Sequence, residues 1–224
     1  MPALKRPRGL LALIRLVGVL LLLAPGLGQT WELVLQQDNL AVHKRDYAGS
    51  PLQEIRGIIR VEASLNAVMA LLKDADFNRH WVYRSGGARI LREEGYARAY
   101  VYGVVDAPWP MRDRDTVVRF DYEQDPTTAN ITITIKNFPE FIPVEEQYVR
   151  VPDFGGFWML RPQMDGSVEV TYQVYGNPGG WVPVWLANVA AVTSVMRTLE
   201  NMGGAVENYK GALSPNVREP TLQP

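Results

Sequence analysis

The sequence predicts an α+β domain in which a curved antiparallel sheet of about nine strands wraps around one long helix near the carboxyl terminus. Most of the chain consists of short segments of alternating apolar and polar residues separated by turn residues, which is typical of antiparallel strands. Residues 177–202 instead repeat apolar side chains every three or four positions, the spacing of an amphipathic helix. A sheet that curls around this helix would bury its apolar stripe.

The first 28 residues have the composition of a secretory signal peptide. Four basic residues between positions 5 and 15 precede the apolar run 16–24, and the small residues of 26–28 suit cleavage by a signal peptidase. The apolar run is much shorter than the roughly 20 residues that cross a bilayer. We therefore expect a bacterial-type export signal over 1–28 and an exported protein, periplasmic or secreted. An uncleaved amino-terminal anchor is the alternative.

The rest of the chain is expected to form one domain over 29–212 and a flexible polar tail over 213–224. Without the leader, the chain has 19 basic and 24 acidic side chains. This negative net charge argues against a nucleic-acid partner, whose binding requires a basic surface. The chain has no cysteine, so it forms no disulfide bond.

The amino-terminal third of the domain is predicted to contain helices on either side of a hairpin. Gly49, Ser50 and Pro51 mark the hairpin turn, and Ser64 is expected to cap the second helix. The predicted elements are a short helix at 31–40, strands at 40–47 and 53–61, a helix at 65–73, and a turn or short helix at 74–81.

Seven further strands are predicted between residues 88 and 175. The segment 131–135 alternates isoleucine with threonine, which indicates a half-buried strand, and Asp165-Gly166 is a hairpin signal. The predicted strands are 88–94, 97–105, 116–123, 130–136, 147–151, 156–161 and 167–175.

The long helix is predicted to start near Pro183, because proline is tolerated in the first turn of a helix. Gly203-Gly204 is the expected end of the helix. One face of this helix carries an apolar stripe, formed by Trp185, Val189, Val192, Met196 and Leu199.

Catalytic and metal-binding patterns are absent from the sequence. His43 and His80 are the only histidines, and neither has a partner at metal-ligand spacing or lies near a nucleophile elbow. We find no phosphate-binding or dinucleotide-binding glycine motif. The sequence therefore predicts a protein that is not an enzyme and has no metal or cofactor.

The segment 112–115, Arg-Asp-Arg-Asp, is the most densely charged part of the chain. Arg114 has two interpretations. It either anchors the polar group of a ligand, or it belongs to structural ion pairs that hold a loop on the sheet. Arg150 has the same two interpretations.

Several short motifs, in this order and spacing, resemble the START family of lipid-transfer domains. The motifs extend over most of the chain after the leader. They are Trp81; Pro108, Trp109, Pro110, Arg114, Asp115 and Val117; Val149-Arg150; Gly156, Trp158, Leu160 and Pro162; Val170-Thr171-Tyr172; and the stretch 178–183 followed by Asn188.

The resemblance implies a helix-grip fold, shared with Bet v 1-like proteins, in which the sheet and the final helix enclose a hydrophobic tunnel for one lipid. The final helix and a loop, here Glu123 to Ala129, would act as a lid. Family members differ in their ligands, which include sterols and phospholipids. The resemblance therefore implies a lipid ligand, lipid transport and transient membrane contact, and we expect a monomer.

Aromatic and apolar residues are the candidates for the tunnel wall and its opening. A filled core is the alternative use of the same residues. Arg114 is the candidate polar anchor, and Trp109 and Trp181 are candidates for the tunnel mouth or a membrane-contacting rim. The candidate wall residues are Trp185, Val189, Val192 and Met196 on the helix, and Tyr100, Tyr102, Trp158 and Tyr172 on the sheet.

Two other functions use the same fold. A cyclase-like or hydratase-like enzyme would place an acid or a base inside the cavity, with a strongly shifted pKa. A non-binding interaction module would have a filled core and no cavity.

Overall fold

The computed structural model describes residues 30–220, which form ten strands and two α-helices. The predicted export signal and residues 221–224 lie outside the described residues. The strands are β1 (Glu32–Gln37), β2 (Leu40–Asp46), β3 (Gln53–Val61), β4 (Ser85–Glu94), β5 (Arg98–Val105), β6 (Arg114–Gln124), β7 (Ile131–Asn137), β8 (Val149–Arg150), β9 (Asp153–Pro162) and β10 (Val168–Asn177). The helices are α1 (Leu65–Lys73) and α2 (Val184–Ala205).

All ten strands belong to one curved sheet, which confirms the predicted fold class. The strand order is β1-β2-β3-β10-β9-β7-β6-β5-β4, and β8 lies off this path beside β6. The pairing of β8 with β6 is parallel, and the other described pairings are antiparallel. Strand β10 joins the two parts of the sheet, because it pairs with β3 on one side and with β9 on the other.

The prediction of a short helix over 31–40 is wrong, because this segment forms the edge strand β1 and a turn. Gln37 pairs with Leu40 across Asp38 and Asn39, and Asp38 has a positive φ of 36°. A two-residue turn of this kind favours a hairpin, whereas an isolated short helix is marginal in water. The hairpin of β2 and β3 is confirmed.

Helix α1 starts directly after its predicted cap, Ser64. Glu219 of the carboxyl-terminal segment also caps this end of the helix. The Ser64 hydroxyl oxygen accepts a hydrogen bond from the Ala67 amide at 3.2 Å. The Glu219 carboxylate accepts bonds from the Leu65 and Asn66 amides at 3.3 and 2.7 Å. A carboxylate at the amino end of a helix is stabilised by the helix dipole. The segment 213–220, expected to be part of a flexible tail, therefore contacts the domain.

The expected end of α2 at Gly203-Gly204 is wrong, because the helix continues through both glycines to Ala205. Met202 and Val206, on either side of them, are buried in the core. The burial of these apolar side chains outweighs the cost of glycine in a helix, which is about 1 kcal/mol for each residue. In the part of the chain that the structure describes, no helix is long and apolar enough to cross a membrane.

The carboxyl-terminal half of α2 packs directly against the backbone of β3. Val195 and Leu199 are fully buried, and they lie over Gly57 in the middle of β3. A Cβ atom at Gly57 would lie 2.3 Å from Leu199 Cδ1 and 2.8 Å from Val195 Cγ1. The close approach of helix and sheet therefore requires a glycine at this position.

We predict that Gly57→Ala lowers the free energy of unfolding by about 1–3 kcal/mol, because the new methyl group overpacks the contact with α2. Thermal or denaturant unfolding followed by circular dichroism measures the change. Gly203→Ala is the matched control, since a Cβ there meets no atom within 4 Å. That variant should gain about 0.5–1 kcal/mol from its position inside a helix. Equal stability of the Gly57 variant and the wild type would contradict the prediction.

Candidate functional site

A cavity of about 290 Å³ lies between the concave face of the sheet and α2. The segment between α1 and β4 closes one side of it. Residues that line it include Leu72, Val82 and Tyr83 from this side; Ala99, Val101, Gly103, Thr116, Val118, Phe120 and Tyr122 from β5 and β6; Phe154, Tyr172 and Val174 from β9 and β10; and Ala191, Ser194 and Val195 from α2.

Small side chains on two sides of the cavity, on β5 and on α2, leave room for it. Strand β5 presents Ala99, Val101 and Gly103, and α2 presents Ala191 and Ser194. Larger side chains fill the rest of the concave face, where they form the main hydrophobic core. Since folded interiors are otherwise close-packed, a hollow of this size indicates space for a ligand.

Tyr172 of β10 is the predicted wall residue that lines the cavity near its middle. Its ring stacks on Trp158, with 3.8 Å between the ring centroids and 11° between the planes. Burial raises the pKa of the Tyr172 hydroxyl, which therefore stays protonated at neutral pH. No hydrogen bond joins this hydroxyl to another described residue. Trp158 supports the wall from behind, and its other neighbour is Trp81, 6.2 Å away between ring centroids.

One end of the cavity carries charged residues. The ammonium group of Lys73 lies 4.5 Å from the ring centroid of Tyr122, and Glu93 is nearby at the end of β4. Burial first, and then the charge of Glu93, raise the pKa of the Tyr122 hydroxyl. Asp74 also lines this region, but its carboxylate accepts hydrogen bonds from the Tyr209 hydroxyl at 2.7 Å and the Phe77 amide at 2.9 Å.

The predicted helix stripe does not face the cavity. Trp185 and Val189 are 68% and 57% exposed, while Val192 and Met196 are half-buried against the core. The face of α2 that lines the cavity is rotated by about one residue and carries smaller side chains. None of these four residues lines the cavity, so their role as the wall of a lipid site stays a prediction.

Tyr100 and Tyr102, the predicted wall residues of the sheet on β5, are also not among the residues that line the cavity. Both are on the opposite face of β5 from Val101 and Gly103. Tyr100 stacks on Phe141 with 4.4 Å between the ring centroids, and Tyr102 lies beneath the guanidinium group of Arg89. The alternation of side chains along a strand defines two faces, but it does not indicate which of them points toward the helix.

Arg150 and Asp115 form a buried ion pair that holds a loop on the outer face of the sheet. The guanidinium group donates to both carboxylate oxygens, at 3.0 and 2.9 Å. It also donates to the carbonyl oxygens of Pro139, Ile142 and Pro143. Because its donors are used in this way, the structural interpretation applies to Arg150.

Arg114 is on the same face of β6 as Thr116, closer to the start of α2, and is not among the lining residues. Its guanidinium group donates to the carbonyl oxygens of Arg112 at 2.6 Å and Pro178 at 3.4 Å. Burial lowers its pKa. Arg114 thus connects the two loops that carry Trp109 and Trp181. Its role as a polar anchor for a ligand stays a prediction.

Exposed tryptophans surround the end of the sheet where α2 begins. Trp109 and Trp181 are 92% and 88% exposed. Trp185 and Val189 extend this apolar surface along the first turns of α2. We call these four residues, with Val184, the aromatic rim. Large apolar side chains that are exposed together on a protein surface usually mark a site of contact with a ligand, another protein or a membrane.

The first half of α2 is held to the sheet by the side chain of Asn188. Its carbonyl oxygen accepts a hydrogen bond from the Gln53 amide at 3.0 Å, and its amide group donates to the Pro51 carbonyl at 3.4 Å. Pro51 lies in the segment that connects β2 and β3, and Gln53 is the first residue of β3. The first half of α2 is therefore attached less firmly than the half that packs on Gly57.

The small residues that create the cavity were not among the predicted site residues. Ala99, Gly103, Ala191 and Ser194 carry no pattern typical of a binding site. The sequence indicates them only on β5, where small side chains alternate with Tyr100 and Tyr102. The expected lid loop, Glu123 to Ala129, does not line the cavity; at its start, Gln124 donates a hydrogen bond to the Arg218 carbonyl at 2.8 Å.

Among the described residues, no group of three or more histidine, aspartate and glutamate side chains could hold a metal ion. Neither His43 nor His80 lines the cavity. The site that the described residues build is therefore an apolar hollow with neutral hydroxyl groups in its wall and charged groups at one end.

Comparison with known proteins connects this architecture to lipid transfer. No protein-family model matches the chain. The chain is 34% identical over 183 residues to an uncharacterized protein of Pseudomonas aeruginosa, covering 81% of this chain and 89% of that protein. It is 22% identical over 187 residues to human phosphatidylcholine transfer protein, covering 81% and 86%.

Solved structures show the same fold. A fragment of a STAR-related lipid transfer protein from Xanthomonas axonopodis superimposes with a TM-score of 0.74 at 33% identity, covering 79% of this chain and 98% of that one. Human StAR-related lipid transfer protein 5 superimposes with a TM-score of 0.71 at 16% identity, covering 80% and 87%. The chain has the helix-grip fold of these proteins, and its identity to the Xanthomonas axonopodis protein extends over most of its length. The chain therefore belongs to the STAR-related lipid transfer (START) family.

Proposed function

We propose that this protein binds one hydrophobic lipid molecule in the cavity beneath α2 and transfers it between membranes without changing it chemically. The observation that carries the proposal is the apolar cavity of about 290 Å³ in a fold that otherwise has a close-packed core. Membership of the START family supports lipid binding and transfer in general.

Partition of apolar surface would supply the binding energy. Each Å² of lipid surface that leaves water contributes about 25 cal/mol. The wall formed by Val101, Val118, Phe120 and Val174 offers apolar contact along the length of the cavity. Uptake and release then require an opening, and the first half of α2 is the candidate lid because Asn188 attaches it to the sheet.

Transient contact with a membrane would occur through the aromatic rim. Tryptophan combines a large apolar ring with a polar N–H group, which suits the boundary between lipid head groups and acyl chains. The rim surrounds the start of α2, so docking would place the candidate lid at the membrane surface. We propose that the protein acts as an exported monomer, in the periplasm or outside the cell, on the basis of its leader sequence.

An enzymatic reaction in the cavity receives less support from the described residues. Of the two carboxylates at the cavity, Asp74 is already hydrogen-bonded to Tyr209 and Phe77, and Glu93 is exposed to solvent. Tyr172 and Tyr122 have raised pKa values, so they remain neutral hydroxyl groups and are poor bases at neutral pH.

Blocking the cavity tests the site of binding. We predict that Ser194→Trp, which places an indole in the cavity, reduces the fraction of protein that carries lipid at least about tenfold. Native mass spectrometry of protein purified from its expression host measures this fraction. Arg197→Trp is the control, because Arg197 is exposed on the same helix. Undiminished lipid binding by a folded Ser194→Trp protein would place the lipid elsewhere.

Removing the tryptophans tests membrane contact. The double variant Trp109→Ser, Trp181→Ser should slow lipid transfer between vesicles about tenfold, since it loses apolar contact with the bilayer. Its lipid occupancy and melting temperature should not change, because both side chains are exposed. Met164→Ser is the control, since Met164 is also exposed but lies in the β9–β10 turn, at the other end of β10 from α2. Equal transfer rates for the double variant and the control would refute the docking surface.

Removing the attachment of α2 tests the lid. Asn188→Ala deletes two hydrogen bonds, each contributing about 0.5–1.5 kcal/mol, so lipid dissociation should become faster by about fivefold to a hundredfold. Stopped-flow dissociation of a fluorescent lipid measures this rate. In the control Thr193→Ala, the lost hydroxyl bonds only to Val189 within the helix. A dissociation rate identical to that of the control would show that lipid leaves by another route.

A further inference from the structure

The size of the cavity limits how much of a lipid can enter it. An apolar cavity of about 150 Å³ in another protein holds one benzene molecule. On the same scale, the cavity of about 290 Å³ holds roughly a dozen non-hydrogen atoms. A two-chain phospholipid has several times as many. The described cavity therefore matches one acyl chain of medium length.

The charges around the cavity argue against an enclosed phosphate group. Thr116, Ser194 and Tyr172 are neutral polar residues in its wall. The charged lining residues are Lys73, Asp74 and Glu93, all at the Tyr122 end. Burying an ion in an apolar site is strongly unfavourable unless the ion is paired. An uncharged ligand avoids this cost.

Tyr172 supplies one directional contact for such a ligand. Stacking on Trp158 fixes the ring, and the hydroxyl has no hydrogen-bond partner among the described residues. The half-buried Tyr172 lines the cavity, so a ligand inside the cavity can reach its hydroxyl. A ligand oxygen there would accept a hydrogen bond that the apolar part of the wall cannot offer. Because burial raises its pKa, the group acts as a neutral donor.

We propose that the ligand is an uncharged single-chain lipid, with roughly a dozen non-hydrogen atoms inside the cavity and an oxygen that accepts a hydrogen bond from Tyr172. This inference rests on the proposed lipid-binding function and specifies its ligand. Phosphatidylcholine has two acyl chains and gives the human and bovine phosphatidylcholine transfer proteins their name. Such a two-chain phospholipid is then not the preferred ligand of this chain.

Displacement of the neutral dye Nile red from the full-length protein tests the proposal. The competitors are 1-dodecanol, dodecane, dodecanoate and dioleoyl phosphatidylcholine. We expect the Tyr172 hydroxyl to contribute about tenfold to the affinity for dodecanol and nothing to the affinity for dodecane, which has no oxygen to accept its hydrogen bond. We also expect dodecanoate and the phospholipid to bind more weakly than dodecanol.

The variant Tyr172→Phe keeps the ring that stacks on Trp158 and removes the hydroxyl. It should bind dodecanol about tenfold more weakly and dodecane with unchanged affinity. Tyr175→Phe is the matched control, since it removes a hydroxyl on the same strand, keeps the ring that stacks on Tyr47, and lies outside the residues that line the cavity. It should leave the affinities for dodecanol and dodecane unchanged.

The outcomes separate this inference from the proposed function. Stronger binding of dodecanoate or of the phospholipid would overturn the neutral single-chain ligand while leaving lipid binding in place. An unchanged affinity of Tyr172→Phe for dodecanol would overturn the role of Tyr172. If no competitor displaces the dye and native mass spectrometry finds no bound lipid, the proposed function fails together with this inference.

Discussion

The contact of Val195 and Leu199 with the backbone of Gly57 determines how α2 crosses the sheet. Because glycine has no side chain, the helix approaches β3 closely along its carboxyl-terminal half. Ala191 and Ser194, before this contact along the helix, line the cavity together with residues of β5 and β6. The cavity therefore begins where the close contact between α2 and β3 ends.

The distribution of large and small side chains around α2 accounts for both the cavity and the aromatic rim. Small side chains, Ala191 and Ser194, face the sheet, while the larger Trp185 and Val189 face away from it. In a helix that only completed a core, the large apolar groups would point inward. The reversed arrangement in the first half of α2 leaves internal space and places apolar surface outside, as a lipid-carrying protein in contact with membranes would require.

Much of the fold could be predicted from the sequence, because hairpin turns, the Ser64 cap and strand alternation are local signals. The edge strand β1 was missed since its short pattern fits a helix equally well. The inward face of β5 could not be chosen, because Tyr100 and Val101 belong to alternating sets that are both apolar. The cavity itself depends on side chains that are small, and Ala191 or Gly103 alone has no pattern that distinguishes a lining residue from a packed one.

The central place of β10 has a consequence for the order of folding. Strands β1 to β3 and strands β4 to β9 can each form by pairing near neighbours, but β10 must arrive before the two parts become one sheet. Until then, β3 and β9 each present an unpaired edge, to which another chain could add. Because such long-range pairing is slow, the incomplete sheet would be vulnerable to aggregation until the last strand closes both edges.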